Sequence, residues 1–192
     1  MTLISGHSEA DAMVVDVDEV TTDEKRALPA VVFPNSRVLI LGTAPGDESL
    51  ARQEYYASRS NQLWKIRENV YGDASLVAGG WQARRAFLEA KGLAFWDVLA
   101  SCERKGSLDG NIENPIPNDF IAFFRAWPRI KYIFFNGQKA EKLFFQYVMS
   151  PAQLEECGIV NAVRLPSTSG ANAIALSDKV ERWRAIRTIT RP

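Results

Sequence analysis

Four short apolar runs interrupt the 192-residue chain: Arg37–Leu41, Ala94–Leu99, Tyr132–Phe135 and Val160–Leu165. Each ends in small or polar residues, the pattern of a strand buried on both faces. Between and after them, apolar positions recur at helical spacing around Gln62–Val70, Ala83–Ala90, Asn118–Ala126, Lys139–Met149 and Asp178–Thr188. Strands alternating with helices predict an α/β domain with a mainly parallel sheet. Upstream of Pro29 the pattern fails, because acids and threonines break up the apolar residues. Residues 1–28 are therefore expected to be a largely disordered acidic leader, followed by a single domain over 29–192.

In an open parallel sheet, ligands sit beyond the carboxyl ends of the strands. The segments expected there are GTAPG (42–46), Asp97 with SCERKGSLDG (101–110), NGQKA (136–140) and PSTSGAN (166–172). All offer backbone donors, small side chains or amides, and one cleft could collect all four. GTAPG by itself could cradle a carbonyl or phosphate, or simply turn the chain; it has neither a dinucleotide fingerprint nor the Gly–Lys–Ser/Thr of a P-loop. PSTSGAN could hold phosphates through hydroxyls and backbone N–H groups, and could equally cap the last helix. One of Tyr55 and Tyr56 is expected in the core and the other on a loop where it could stack on a base. The five tryptophans read as structural, and KVERWRAIRTITR (179–191) reads as a solvated helix face.

Charge adds one asymmetry. The formal net charge is zero, yet residues 1–24 hold seven acids and no Lys or Arg. The remainder has 23 basic and 23 − 7 = 16 acidic side chains, an excess of +7. A basic body suits a polyanionic partner with which the acidic leader would compete, and it also suits an ordinary solvated surface. Cys102 and Cys157 are too few for a cysteine-only metal or iron–sulfur site, and the one histidine, His7, lies in the leader. Histidine-based catalysis and a His-rich metal site are disfavoured. No apolar run reaches the roughly 18 residues of a membrane span, and no secretory signal is recognisable, so a cytoplasmic protein is expected.

As a set, GTAPG…YYASRSNQLW, GLAFWDVLASCERKGSLDGNI, PNDF, FNGQKA and LPSTSGAN resemble the hypoxanthine (deoxyinosine) branch of the uracil-DNA glycosylase superfamily, in the same order from about Val38 to Asn172. The resemblance implies a three-layer α/β/α sandwich around a four-stranded parallel sheet. It also implies a monofunctional DNA N-glycosylase that needs no cofactor or metal, acting as a monomer on double- or single-stranded DNA containing deaminated bases. Hypoxanthine is the favoured base, with uracil or xanthine also possible.

The resemblance also assigns residues. The mismatch-specific uracil/thymine glycosylases carry a catalytic asparagine in Gly-Ile-Asn-Pro-Gly, and that position is Ala44 here. Their base-stacking Phe falls on Tyr56, and Leu-Pro-Asn-Pro-Ser-Gly-Leu-Ser aligns with Leu165 to Asn172. In the hypoxanthine branch, catalysis is carried by the asparagine that corresponds to Asn61. Gly42, Thr43, Ala44, Tyr56 and Asp97 are then expected to bind the base, with backbone N–H groups of Thr43 and Ala44 on its carbonyl. Pro166, Ser167, Thr168, Ser169 and Gly170 are expected to grip DNA. The chain departs from the branch pattern at Ser58, Arg59 and Leu63, where His, Pro and Phe are usual, and at Gly170, where Pro is usual. Two further readings stand beside the glycosylase: a damaged-DNA-binding protein of the same fold without turnover, and a small-molecule nucleotide enzyme with a phosphate loop.

Overall fold

The computed structural model describes residues 24–190. Its strands are β1 (Glu24–Arg26), β2 (Val38–Gly42), β3 (Leu93–Asp97), β4 (Leu99–Glu103), β5 (Glu113–Pro117), β6 (Tyr132–Asn136) and β7 (Asn161–Leu165). Four of them form the central sheet in the order β3-β2-β6-β7, all parallel. Every residue of β2 is buried. Val38 and Ile40 enter one hydrophobic cluster, Leu39 and Leu41 the other. A strand apolar on both faces needs cover on both sides.

Helices supply that cover. After β2 come α1 (Asp47–Arg52), α2 (Leu63–Tyr71), α3 (Ser75–Ala78) and α4 (Trp81–Ala90). Then α5 (Phe120–Ala126) leads into β6, α6 (Gln138–Tyr147) and α7 (Pro151–Glu156) follow it, and α8 (Leu176–Trp183) and α9 (Ala185–Ile189) come last. Leu63, Trp64 and Ile66 of α2, Leu76 of α3, Leu88 of α4, Trp183 of α8 and Ile186 of α9 pack under Val38 and Ile40. Phe120 of α5, Phe144 of α6 and Leu154 of α7 pack under Leu39 and Leu41. The result is the expected three-layer sandwich. The helix expected over Asp178–Thr188 is divided into α8 and α9 at Arg184.

Two expectations need correction. The run Ala94–Leu99 does not stay in one strand. At Val98 the chain leaves the central sheet for a second, antiparallel sheet of order β1-β4-β5. Of the leader expected over residues 1–28, residues 1–23 lie outside the described residues, whereas 24–28 belong to the fold. β1 pairs along β4, the Ala27 N–H bonds the Ala100 carbonyl at 2.8 Å, and Leu28 is buried in the core. Pairing satisfies the backbone groups along one edge of β4, and Leu28 gains from burial what an acidic leader could not.

The sheet order fixes where a ligand can enter. From β2 the chain runs to α2, α3 and α4 on one face, and from β6 it runs to α6 on the other. The carboxyl ends of these adjacent strands therefore diverge and leave a crevice between their loops. Among the described residues no helix is long and apolar enough to cross a membrane.

Candidate active site

A cleft of about 560 Å³ opens at this point. Gly42, Thr43 and Ala44 line it after β2, Tyr56 and Asn61 on the next loop, Asp97 at the end of β3, and Ser167, Ser169 and Gly170 after β7. Nine of the eleven residues expected from the sequence thus meet in one place. The other two, Pro166 and Thr168, do not line the cleft.

Asp97 sits at its closed end, 3% exposed, with no hydrogen-bond partner on Oδ2. Burial, reinforced by the nearby Asp109 and opposed by Arg104, raises its pKa to about 7. Gly42 makes room for it: a Cβ there would fall within 3.0 Å of Asp97 Oδ1 and at 3.2 Å from Tyr56 Oη. Tyr56 reaches this position with φ of +56°, a left-handed conformation that costs a bulky residue about 1–3 kcal/mol. Its ring stands edge-on to Phe95, with centroids 5.3 Å apart, and its buried hydroxyl has no partner. Burial and the neighbouring Asp97 push the phenol's pKa up. Tyr55 is the core member of the pair, its hydroxyl donating to the Leu28 carbonyl at 3.1 Å. The N–H groups of Thr43 and Ala44 bond no acceptor among the described residues.

Asn61 stands on the rim. Its Oδ1 accepts the Leu63 N–H at 3.0 Å, which starts α2 and fixes the side chain's orientation. The Nδ2 group and the second lone pair of Oδ1 remain for a substrate or water. A network ties this loop to the one after β7. The Gln62 N–H bonds the Thr168 carbonyl at 2.8 Å, and the buried Lys179 Nζ donates to Gln62 Oε1 at 2.8 Å and to the Asn172 carbonyl at 2.9 Å. Gly170 lies so close to the first loop that a Cβ would stand 2.7 Å from the Ser60 carbonyl.

Pro166 and Thr168, expected to grip DNA, both hold their loop in place. Pro166 accepts the Trp183 Nε1–H at 2.9 Å. Thr168 is fully buried, its N–H donating to Asn136 Oδ1 at 2.8 Å and its hydroxyl accepting from Asn136 Nδ2 at 2.9 Å. These bonds leave Ser169 and Gly170 exposed at the cleft mouth, with Ser167 half-buried beside them.

Residues 29–187 match the model of the Uracil DNA glycosylase superfamily. The chain belongs to this superfamily. It is 32% identical over 162 residues to a hypoxanthine DNA glycosylase of Methanosarcina acetivorans, covering 84% of this chain and 97% of that one. A hypoxanthine DNA glycosylase of Methanosarcina barkeri is 29% identical over 160 residues, 83% and 96% of the two chains. The solution structure of a proposed uracil DNA glycosylase from Methanosarcina acetivorans superposes with a TM-score of 0.69 at 30% identity, covering 85% of this chain and 99% of that one.

This superfamily member also uses residues that reading the sequence left unassigned. Thr43 Oγ1 donates to Asp109 Oδ2 at 2.9 Å, and Arg104, 1% exposed, places Nη1 3.4 Å from Asp109 Oδ1 and Nη2 on the Pro45 carbonyl. Burial raises the Asp109 pKa, while Thr43, Arg104 and Lys139 pull it down. Both residues lie in SCERKGSLDG, which the sequence places at the ligand end of the sheet without singling out either side chain. The available signal was that this segment, like the one carrying Asn136, directly follows an apolar run. The cleft is lined by Asp47, Glu48, Asp97 and Asp109, and among the described residues by no Lys or Arg.

Proposed function

We propose that this protein is a monofunctional DNA glycosylase that extrudes a deaminated base and hydrolyses its N-glycosidic bond, with hypoxanthine preferred and uracil or xanthine as further substrates. The observation that carries the reading is the buried Asp97 carboxyl, its Oδ2 without a partner, in a cleft lined by four acids and, among the described residues, by no Lys or Arg. An ionised Asp97 accepts the ring N–H that hypoxanthine presents and adenine lacks. The relatives' names and the superfamily membership support the same chemistry.

The nucleotide leaves the stack at a cost of a few kcal/mol, less when the base is mispaired. Tyr56 stacks on it, worth about 1–3 kcal/mol. The C1′–N bond then breaks, its electron pair leaving with the base while positive charge develops on the sugar. The free N–H groups of Thr43 and Ala44 receive the base carbonyl as it gains negative charge. Water adds to C1′, positioned by the Asn61 amide, and the proton it loses neutralises the departing base anion, leaving an abasic site. A single electrostatic contact of this kind is worth about 2.7–4 kcal/mol. The protein acts as a cytoplasmic monomer on double- or single-stranded DNA.

The test is base release from labelled duplexes carrying one hypoxanthine, uracil or xanthine, followed by alkaline cleavage, with Asn61→Ala beside the native protein. Cleavage that drops at least a hundredfold in the variant is expected. Lesion-selective binding without cleavage by the native protein would leave a sensor in place of an enzyme.

A further inference from the structure

Extrusion of a base leaves a gap in the stack, and proteins that open or kink DNA commonly insert Leu, Ile, Phe, Met or Pro between base steps. The loop after β7 has nothing of that size to offer at the cleft. Its exposed side chains there are those of Ser169 and Ala171, around Gly170, and Thr168 is buried. The opposite rim differs. Leu108 lines the cleft, is 60% exposed, and belongs to neither core cluster.

An exposed leucine alone means little. The loop that presents this one, however, is fixed on both sides. Ser107 Oγ accepts the Asp47 N–H at 3.1 Å and donates to Asp47 Oδ2 at 3.2 Å. Asp109 is held by Thr43 at 2.9 Å and by the buried Arg104, and the Leu108 carbonyl accepts the Asn111 N–H at 3.1 Å. Several polar contacts thus hold a large apolar side chain in water at the mouth of the site. A preorganised group loses little freedom on insertion.

We propose that Leu108 is the wedge that enters the base stack of duplex DNA, from the rim opposite the serine loop, and fills the space left by the extruded nucleotide. The proposal rests on the glycosylase reading, and its test separates the two. Single-turnover base release is measured on hypoxanthine in duplex and in single-stranded DNA, for the native protein, Leu108→Ala and Leu108→Met. In parallel, fluorescence of a 2-aminopurine placed beside hypoxanthine in the duplex reports unstacking without needing turnover. A single strand has no stack to fill, so the duplex-to-single-strand rate ratio should fall roughly tenfold or more in Leu108→Ala, as expected for losing a buried leucine, and recover in Leu108→Met. The 2-aminopurine brightening should fall with it. An unchanged ratio and brightening in Leu108→Ala would overturn the proposal. So would an equal loss in Ile174→Ala, which removes the 39% exposed apolar side chain on the serine-loop side. If the native protein releases no base from either substrate, the glycosylase reading fails, and fluorescence still decides the wedge: brightening lost in Leu108→Ala supports it, and brightening retained there, or absent from the native protein, refutes it.

Discussion

Gly42→Ala tests the closed end of the cleft with one methyl group. The backbone at Gly42 is not in the left-handed region, so alanine is conformationally acceptable, and the unfolded chain loses entropy in a way that favours folding by about 0.4–1 kcal/mol. The added Cβ, however, falls within 3.0 Å of Asp97 Oδ1, and ordinary contact begins at 3.4 Å. The carboxyl must retreat by at least 3.4 − 3.0 = 0.4 Å, and Tyr56 Oη, at 3.2 Å, must yield by 3.4 − 3.2 = 0.2 Å. Both groups are buried, and the Tyr56 ring already stands edge-on against Phe95, so neither has free space to retreat into. Misplacement of about 1 Å at a reacting site can cost 10²-fold. A shift of this size is therefore expected to lower single-turnover hypoxanthine release about 10- to 100-fold, with thermal stability unchanged or lowered, because overpacking costs about 1–3 kcal/mol against the entropic gain. Native-level release by a folded Gly42→Ala protein would refute the placement of Asp97 and Tyr56 against the base.

Three further substitutions probe charges under and around the site. Asp97 keeps its proton up to about pH 7, against 3.8 for an ordinary aspartate, so the folded state binds more protons than the unfolded one across that window and stability falls as pH rises through it. Asp97→Asn lacks this loss: its melting temperature relative to the native protein should climb between those two pH values and level off above, and parallel melting profiles would refute the shift. Lys179→Met leaves Gln62 Oε1 and the Asn172 carbonyl without their donor, and urea unfolding should show a loss of about 1–3 kcal/mol. Arg67 is fully buried with no hydrogen bond on any guanidinium nitrogen and only the rings of Trp183 and Tyr71, 5.1 and 5.9 Å away, for company. Burial depresses its pKa, and cation–π contact returns only about 2 kcal/mol, so Arg67→Met should be neutral or stabilising in urea; a clear loss would show that the rings hold the charge more tightly than reasoned.

The central sheet was legible because β2, β3 and β6 are buried on both faces and so carry unbroken apolar runs. The second sheet was not. β5 is Glu-Asn-Pro-Ile-Pro and mostly exposed, and β1 is three charged residues that become a strand only because β4 offers an edge. The same division runs through the site. Residues at strand ends or in glycine-bounded loops could be placed by pattern, which is why Gly42, Asp97 and Ser167 were found. Thr168 could not be told from its neighbours, since the bond that turns it inward comes from Asn136, 32 residues away in the chain. Asp109 was hidden for the same reason, its partner Thr43 lying 66 residues upstream. Adjacent hydroxyls in one loop take opposite roles through contacts that local sequence does not contain.

The charge of the cleft separates the glycosylase from a small-molecule nucleotide enzyme. A free nucleotide brings its phosphate into the pocket with the base, yet Asp47, Glu48, Asp97 and Asp109 line this one, and among the described residues no Lys or Arg does. Such a lining repels a phosphate and accepts a neutral base, so the backbone must stay at the mouth, where Ser169 and Gly170 are exposed and Arg59 stands on the neighbouring loop. Base and phosphate are sorted by depth, as extrusion from a polymer requires. On the glycosylase reading, an ionised carboxylate at this cleft also stabilises the positive charge that develops on the sugar. Repulsion of the phosphate and attraction of the transition state are therefore one electrostatic feature. The prediction that isolates it is Asp109→Asn: base release should slow at least tenfold, whereas lesion binding should hold or tighten as the mouth loses a repulsive charge. Equal losses in binding and release would mean that Asp109 only braces the loop through Thr43 and Arg104.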